Sequence, residues 1–260
     1  MSVTPARRAA YEVVRRVFEH EAYADRALEA AVRGLDQRDR ALAQQIAYGT
    51  VQRARTLDHG IETLGRRPLR KLDPPVLAAL RIGAYQIAYL GGVPPHAAVN
   101  ESVELVRRAQ LERAVPFTNA VLRRLADGLS ALVDSLPEGP LKHSYPDWVA
   151  DVWRRDLGDA AASALMRAQN EAPETVVRLV RGEIDGDVTD VPGAFRVARV
   201  DRDALAEGRI WPQSRLDPGG SRGRREGGRA DAGRLRRSRR EGDAAHRRRN
   251  GDREARGPCT

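Results

Sequence analysis

From residue 4 to about residue 130, apolar side chains recur every three or four positions, and Pro, Gly and Asp interrupt them at short intervals. That pattern admits one kind of structure, a run of amphipathic helices joined by short turns. Thr4-Pro5 is a start signal: Thr4 suits the cap, and Pro5 suits the first helical position, where its missing N–H would be unpaired anyway. Tyr11, Val14, Val17 and Phe18 then fall close to one stripe. A second segment runs from Tyr23 towards Val32 and stops near Gly34. Asp36 caps a third, longer one with Leu42, Ile46 and Val51, and Leu57, Ile61 and Leu64 continue its spacing up to Gly65. Asp73-Pro74-Pro75 opens the next, with Leu77, Leu80, Ala84 and Ile87 on one face, and Gly91-Gly92 ends it. Pro94-Pro95 restarts the chain into a stripe of Val99, Val103 and Val106. After Pro116, a last short helix carries Ala120, Val121 and Leu125. No alternating strand pattern occurs, so the expected fold class is an all-α bundle of about six helices.

A Pro- and Gly-rich stretch at 137–146 marks a boundary. Residues 147–172 read as two further helices, with Trp148, Val152 and Leu157 near one face of the first and Leu165, Met166 and Ala168 in the second. Character changes at Pro173. Residues 175–180 and 195–200 are β-rich runs with partial alternation, so a small α+β unit begins there. From Asp217 on there is no periodic apolar pattern, and Leu216 and Leu235 are the only large aliphatics from residue 216. Such a composition cannot bury enough apolar area to offset chain entropy, and disorder is expected. The expected domains are therefore 1–136, helical; 137–215, a linker and the start of a second unit; and 216–260, a tail.

Charge follows the same division. The chain carries 45 Lys+Arg against 36 Asp+Glu, a formal +9. Residues 217–260 hold 14 Arg and 7 acidic residues, a net of +7, which leaves 31 basic and 29 acidic residues, a net of +2, for 1–216. The one cysteine, Cys259, is also in the tail, which excludes a disulfide scaffold, a Cys-based zinc site and a cysteine nucleophile within 1–216. No apolar stretch approaches the roughly 18 residues of a membrane span, and residues 1–10 hold no signal-peptide core. A soluble cytoplasmic protein without a membrane or metal partner is expected.

Few residues point to catalysis. His20, His59, His96 and His143 show no paired ligand spacing. Asp58-His59 resembles a base with its orienting carboxylate, but neighbours on a helix do not face each other, so a structural role is the better reading. Gly91-Gly92-Val93-Pro94 lacks the Lys and the preceding strand of a phosphate loop, and Ser214 lacks a nucleophile elbow. Basic doublets are more informative: Arg7-Arg8, Arg15-Arg16, Arg66-Arg67, Arg70-Lys71, Arg107-Arg108, Arg123-Arg124 and Arg154-Arg155, with Arg53 and Arg55. Each is compatible with a solvated face, and together they form a candidate phosphate-tracking surface. Arg7, Arg8, Arg53, Arg55, Arg66, Arg67, Arg70 and Lys71 are the candidate RNA contacts, chosen for their clustering in sequence.

Three strings go beyond composition: Ala47-Tyr48-Gly49-Thr50-Val51-Gln52-Arg53, the run 95–105 (PHAAVNESVEL) and the run 117–125 (FTNAVLRRL). They resemble the NusB-like RNA-binding domain at the front of bacterial 16S ribosomal RNA cytosine 5-methyltransferases of the RsmB/Sun family. The runs 141–148 (LKHSYPDW) and 168–173 (AQNEAP) look like the segment that follows this domain, and 210–214 (IWPQS) looks like the entry into the catalytic core. The similarity covers about residues 3–215. It implies a NusB-like helical domain over 1–136, 16S ribosomal RNA as partner, and S-adenosylmethionine as cofactor of the intact enzyme. Nothing in the sequence sets the oligomeric state.

After residue 215 the chain departs from the family, whose glycine-rich cofactor loop and two catalytic cysteines are not present as read. Residues 235–250 offer a reason. Back-translated into GC-rich codons and shifted by one base, they permit Cys-Ala-Ala-Pro-Gly-Gly-Lys followed by ATQLTGDG, the loop the family carries. An out-of-frame tail from about residue 216 is therefore expected, and with it a chain that has no catalytic residue, binds no cofactor of its own and is inactive in methyl transfer. Two rival readings stand beside this one. A stand-alone NusB-like antitermination or RNA-binding module would not need the segments after residue 137. A purely helical scaffold would not bind RNA at low salt.

Overall fold

The computed structural model describes residues 3–171, 175–198, 200 and 202–212. The expected tail, 216–260, with Cys259, lies outside the described residues. The chain divides into two compact units, Met1–Pro173 and Glu174–Thr260.

The first unit is helical throughout. Its helices are α1 (Pro5–His20), α2 (Ala24–Ala31), α3 (Gln37–Gln52), α4 (Ala54–Gly65), α5 (Pro74–Tyr89), α6 (Pro95–Arg108), α7 (Val115–Ser135), α8 (Pro140–His143), α9 (Asp147–Leu157) and α10 (Asp159–Ala168). Single 3₁₀ turns at Leu69–Lys71 and Glu112–Ala114 precede α5 and α7. Proline opens α1, α5, α6, α7 and α8 within the first two positions. Asp36 caps α3 as expected, its carboxylate accepting from the Asp39 N–H at 2.7 Å. Thr4 does not cap α1; its hydroxyl and N–H both donate to Glu101 at 3.0 and 3.1 Å. The long third segment breaks at Arg53 (φ −95°, ψ 9°), which separates α3 from α4.

Helix α5 is the central rod. It packs against α1, α3, α4, α6 and α7. Its sequence reads as one apolar face, yet Val76, Ala78, Ala79, Leu80, Ile82, Gly83 and Ala84 are buried around its circumference. A helix that is apolar on all sides belongs inside a bundle. Its two buried polar residues are both partnered. Arg81 makes a bidentate pair with Asp58 at 2.7 Å to each oxygen, and its guanidinium lies 4.0 Å over the Phe18 ring. Asp58 is thereby a structural partner across α4 and α5. Gln86 accepts from the Arg7 Nε–H.

The helix expected after Pro116 is not short. α7 runs 21 residues, because Leu129 continues the buried stripe of Val121, Leu122 and Leu125. It crosses α4 closely at Gly60, where an added Cβ would stand 2.4 Å from the Leu129 Cδ1.

The helical unit extends past residue 136, since α8 to α10 dock on the start of α4. Ser144, in the left-handed region at φ 63°, supplies what that helix end lacks. No side chain of its own caps α4, and the Ser144 Oγ instead accepts from the N–H groups of Arg55 at 2.9 Å and Thr56 at 3.4 Å. The Thr56 hydroxyl donates to the Leu141 carbonyl at 2.7 Å. The Glu138 carboxylate takes hydrogen bonds from His143 at 2.8 Å and Lys142, which hold its pKa down at about 2. In α9 and α10 the buried residues are Ala150, Ala162 and Met166, whereas Trp148 and Leu157 stay exposed. Ser144→Ala is expected to cost about 1 kcal/mol, the worth of a helix cap. A denaturant titration checks this, and an unchanged midpoint would count against the cap.

The second unit contains β1 (Val176–Leu179), β2 (Asp187–Val188), β3 (Ala194–Arg196), α11 (Arg202–Ala206) and β4 (Ile210–Pro212). The strands form an antiparallel sheet in the order β2-β3-β1-β4. Val177, Val197, Ala204 and Ile210 make its small core. The two β-rich runs are thus β1 and β3. The other two strands are too short for a period to show.

Among the described residues, no helix is long and apolar enough to cross a membrane, and no group of three metal-ligating side chains occurs.

Candidate nucleic-acid interface

The eight basic residues singled out in the sequence fall into different surroundings. Arg7 is buried, 7% exposed. Its guanidinium pairs with Glu101 at 3.0 Å and donates to the Thr4 hydroxyl at 3.1 Å and to Gln86. It ties α1 to α5 and α6. Its neighbour Arg8 is exposed.

Arg53 and Arg55 serve the docking of α8 to α10. Arg53 lies 4.7 Å over the Tyr89 ring and donates to the Asn170 carbonyl at 3.3 Å. Burial pushes the Tyr89 hydroxyl pKa up, and the nearby Arg53 charge opposes this. Arg55 holds the Asp147 carboxylate through two hydrogen bonds, 2.8 and 2.9 Å, and donates to the Tyr145 carbonyl. Gln52 adds bonds to the Gln169 carbonyl and the Asn170 amide oxygen, at 3.0 and 3.1 Å. The guanidinium groups of Arg7, Arg53 and Arg55 are therefore committed to the protein itself.

Most remaining doublets are spent locally. Arg15 pairs with Glu19, Arg16 with Glu12, Arg107 and Arg108 with Glu104, Arg154 with Asp151 and Arg155 with Asp156. These are the solvated faces that such doublets ordinarily decorate.

Arg66, Arg67, Arg70 and Lys71 differ. All four are exposed, and they lie in the connection between α4 and α5, Arg70 and Lys71 within its single 3₁₀ turn. The Glu62 carboxylate accepts from the Leu69 N–H at 3.2 Å and pins the turn. Arg67 lies 5.2 Å over the Phe117 ring and donates to the Lys71 carbonyl at 3.2 Å, which holds its guanidinium in place. Arg124 of α7 reaches the Leu64 carbonyl at 3.4 Å and adds a fifth cation. Arg124 is not among the eight; its doublet lies in the run 117–125, but only the packing of α7 on α4 brings it here. No carboxylate pairs with any of these five side chains among the described residues. The corner is thus a group of cations in water with one arginine pre-oriented on a ring, which suits phosphate oxygens.

Arg66 also sits in the left-handed region, φ 54° and ψ 36°, at the end of α4. Glycine ordinarily takes this position, and a side chain there carries strain. Arg66→Gly is expected to raise stability by about 1 kcal/mol while weakening phosphate binding. Paired denaturation and binding measurements on this variant test both signs together.

The family model of the NusB family matches residues 4–127. The probable ribosomal RNA small subunit methyltransferase B of Synechocystis is 31% identical over 180 residues, which are 67% of this chain and 40% of that protein. The ribosomal RNA small subunit methyltransferase B of Thermus thermophilus is 37% identical over 159 residues, 61% of this chain and 36% of that one. The transcription antitermination protein NusB of a Marinomonas species is 36% identical over 94 residues, 36% of this chain and 54% of that protein. The chain spans about 40% of the length of the methyltransferase relatives it matches.

Proposed function

Because residues 4–127 match the model of the NusB family, we propose that this chain is the RNA-binding portion of a protein related to the ribosomal RNA small subunit methyltransferases B. In this reading it contacts 16S ribosomal RNA, and Arg66, Arg67, Arg70, Lys71 and Arg124 take the phosphates. The observation that carries the reading is the group of cations without carboxylate partners at the α4–α5 connection, inside the matched domain. Reversing Arg66, Arg70 and Lys71 to Glu is expected to lower single-strand RNA affinity and to flatten its salt dependence. Each lost phosphate contact removes about 0.7 from the slope of log K against log salt. Unchanged affinity and slope in a folded variant would sink the assignment.

The stand-alone antitermination reading is the weaker one. Similarity to the methyltransferase relatives spans 159 to 180 residues, whereas similarity to the NusB protein spans 94. The added length takes in α8 to α10, whose docking uses the Gln52-Arg53 end of one motif string and Ser144 of another.

S-adenosylmethionine does not fit the described residues. Among them the strands are four short antiparallel ones, and no glycine-rich turn leads from a parallel strand into a helix. No chemical step is derived through it. We take the chain as read to be inactive in methyl transfer, with an out-of-frame tail from about residue 216. Assay of the purified chain on 16S RNA with labelled methyl donor tests the first point. The coding DNA for residues 205–260 tests the second.

A further inference from the structure

The sheet of the second unit presents two side chains that its own fold does not use. Trp211 on the edge strand β4 is 64% exposed. Its partner across the antiparallel ladder is Arg178 on β1. Directly opposite residues have Cβ atoms about 4.5–5.5 Å apart and share one face of the sheet. Among the described residues, exposed Arg178 has no carboxylate or other partner, and no ring or cation covers the indole. The large core side chains lie on the opposite face, while on the face of Arg178 the small Ala194, its partner on β3, is also buried. Val177 and Ile210, the neighbours of Arg178 and Trp211 along their strands, are both buried. Trp211 is therefore not a core residue that has slipped outward. The period of two assigns it to solvent.

A large ring exposed on a sheet beside a guanidinium that no described carboxylate pairs matches one ligand chemistry well. A nucleobase stacks on the indole, and the attached phosphate meets the arginine. Arg196 on β3 lies on the same face, between Val176 on β1 and the carboxylate-bearing Asp187 on β2, and is not counted as part of the site. We propose that Trp211 and Arg178 form a stacking site for one unpaired base of single-stranded RNA, separate from the α4–α5 corner. The proposal rests on the RNA reading for its ligand class and on the sheet register for its residues.

The test uses the full 260-residue chain carrying Trp148→Phe and Trp153→Phe, which leaves Trp211 as the only indole. Probes are a short single-stranded RNA, the duplex of the same sequence, and inorganic polyphosphate as a charge control. The single strand is expected to quench Trp211 emission, and the other two are not. Trp211→Ala is expected to weaken single-strand binding roughly tenfold, within the range measured for loss of one stacked base. Trp211→Phe retains most of the affinity, and Arg178→Gln loses part of it along with about 0.7 of the salt slope. No quenching, or equal quenching by polyphosphate, overturns the proposal. So does emission that acrylamide fails to reach in the free chain, since polypeptide beyond Pro212 then covers the ring. The triple Glu variant of the corner separates the two RNA sites. Quenching that persists there at reduced overall affinity supports both. Quenching at undiminished affinity keeps the stacking site and removes the corner.

Discussion

Gly49→Ala is expected to destabilise the helical unit by about 3 kcal/mol, the upper part of the usual range for overpacking a core. A Cβ at this position would stand 2.0 Å from the Tyr85 Cζ and 2.3 Å from its Cε2. The ring has no room to retreat. Tyr85 is 8% exposed and stacks on Tyr89 with centroids 5.9 Å apart. Its hydroxyl is held off ionisation by the same burial. Chemical denaturation at constant m-value measures the effect, and a loss below about 0.5 kcal/mol, the size of an ordinary surface change, would contradict this packing. Tyr85→Leu in the same chain supplies a second handle. The double variant should lose less than the two single ones together, because residues in contact do not add.

Removing the Glu101 carboxylate is the second large effect. Glu101→Ala leaves the Arg7 guanidinium among buried side chains with only Gln86 and the Thr4 hydroxyl as partners. Breaking one half of a buried pair costs about 3–5 kcal/mol. Replacing Arg7 and Glu101 together by apolar residues of similar volume should cost much less, and a double variant as unstable as the single one would refute the pairing. This bears directly on RNA experiments. Arg7→Glu will reduce RNA binding because it unfolds α1 from α5 and α6. Only a variant that keeps its denaturation midpoint reports on an RNA contact.

The helical punctuation is legible in the sequence because it depends on local chemistry. Pro5, Pro74, Pro95 and Asp36 act on the backbone groups next to them, and each marks a helix start that the structure contains. Side-chain roles are less legible. Arg7 resembles any member of a surface doublet, and what buries it is a carboxylate 94 positions away in sequence. Arg53 and Arg55 read as candidate RNA contacts for the same reason. Their partners are the carbonyls of Asn170 and Tyr145, which no residue type advertises, and the Tyr89 ring and Asp147 carboxylate, both far away in sequence. The Arg66–Lys71 cluster is legible because the Gly65 stop and Pro68 are local signals that end α4 and leave room only for a single 3₁₀ turn. Its fifth member, Arg124, depends on how α7 lies across α4. The end of α7 was hidden by a weaker signal still, since Asp127 and Gly128 interrupt the stripe just before Leu129 restores it.

Ser144 has a consequence in time. The hydroxyl that completes the start of α4 lies 89 residues downstream of the Arg55 N–H it serves. Polypeptides are made at about 5–20 residues per second. During synthesis, α4 therefore waits roughly 4 to 18 s with its first N–H groups facing water. A nascent chain stalled before residue 144 should be digested near Arg53–Arg55 far faster than one stalled well beyond it.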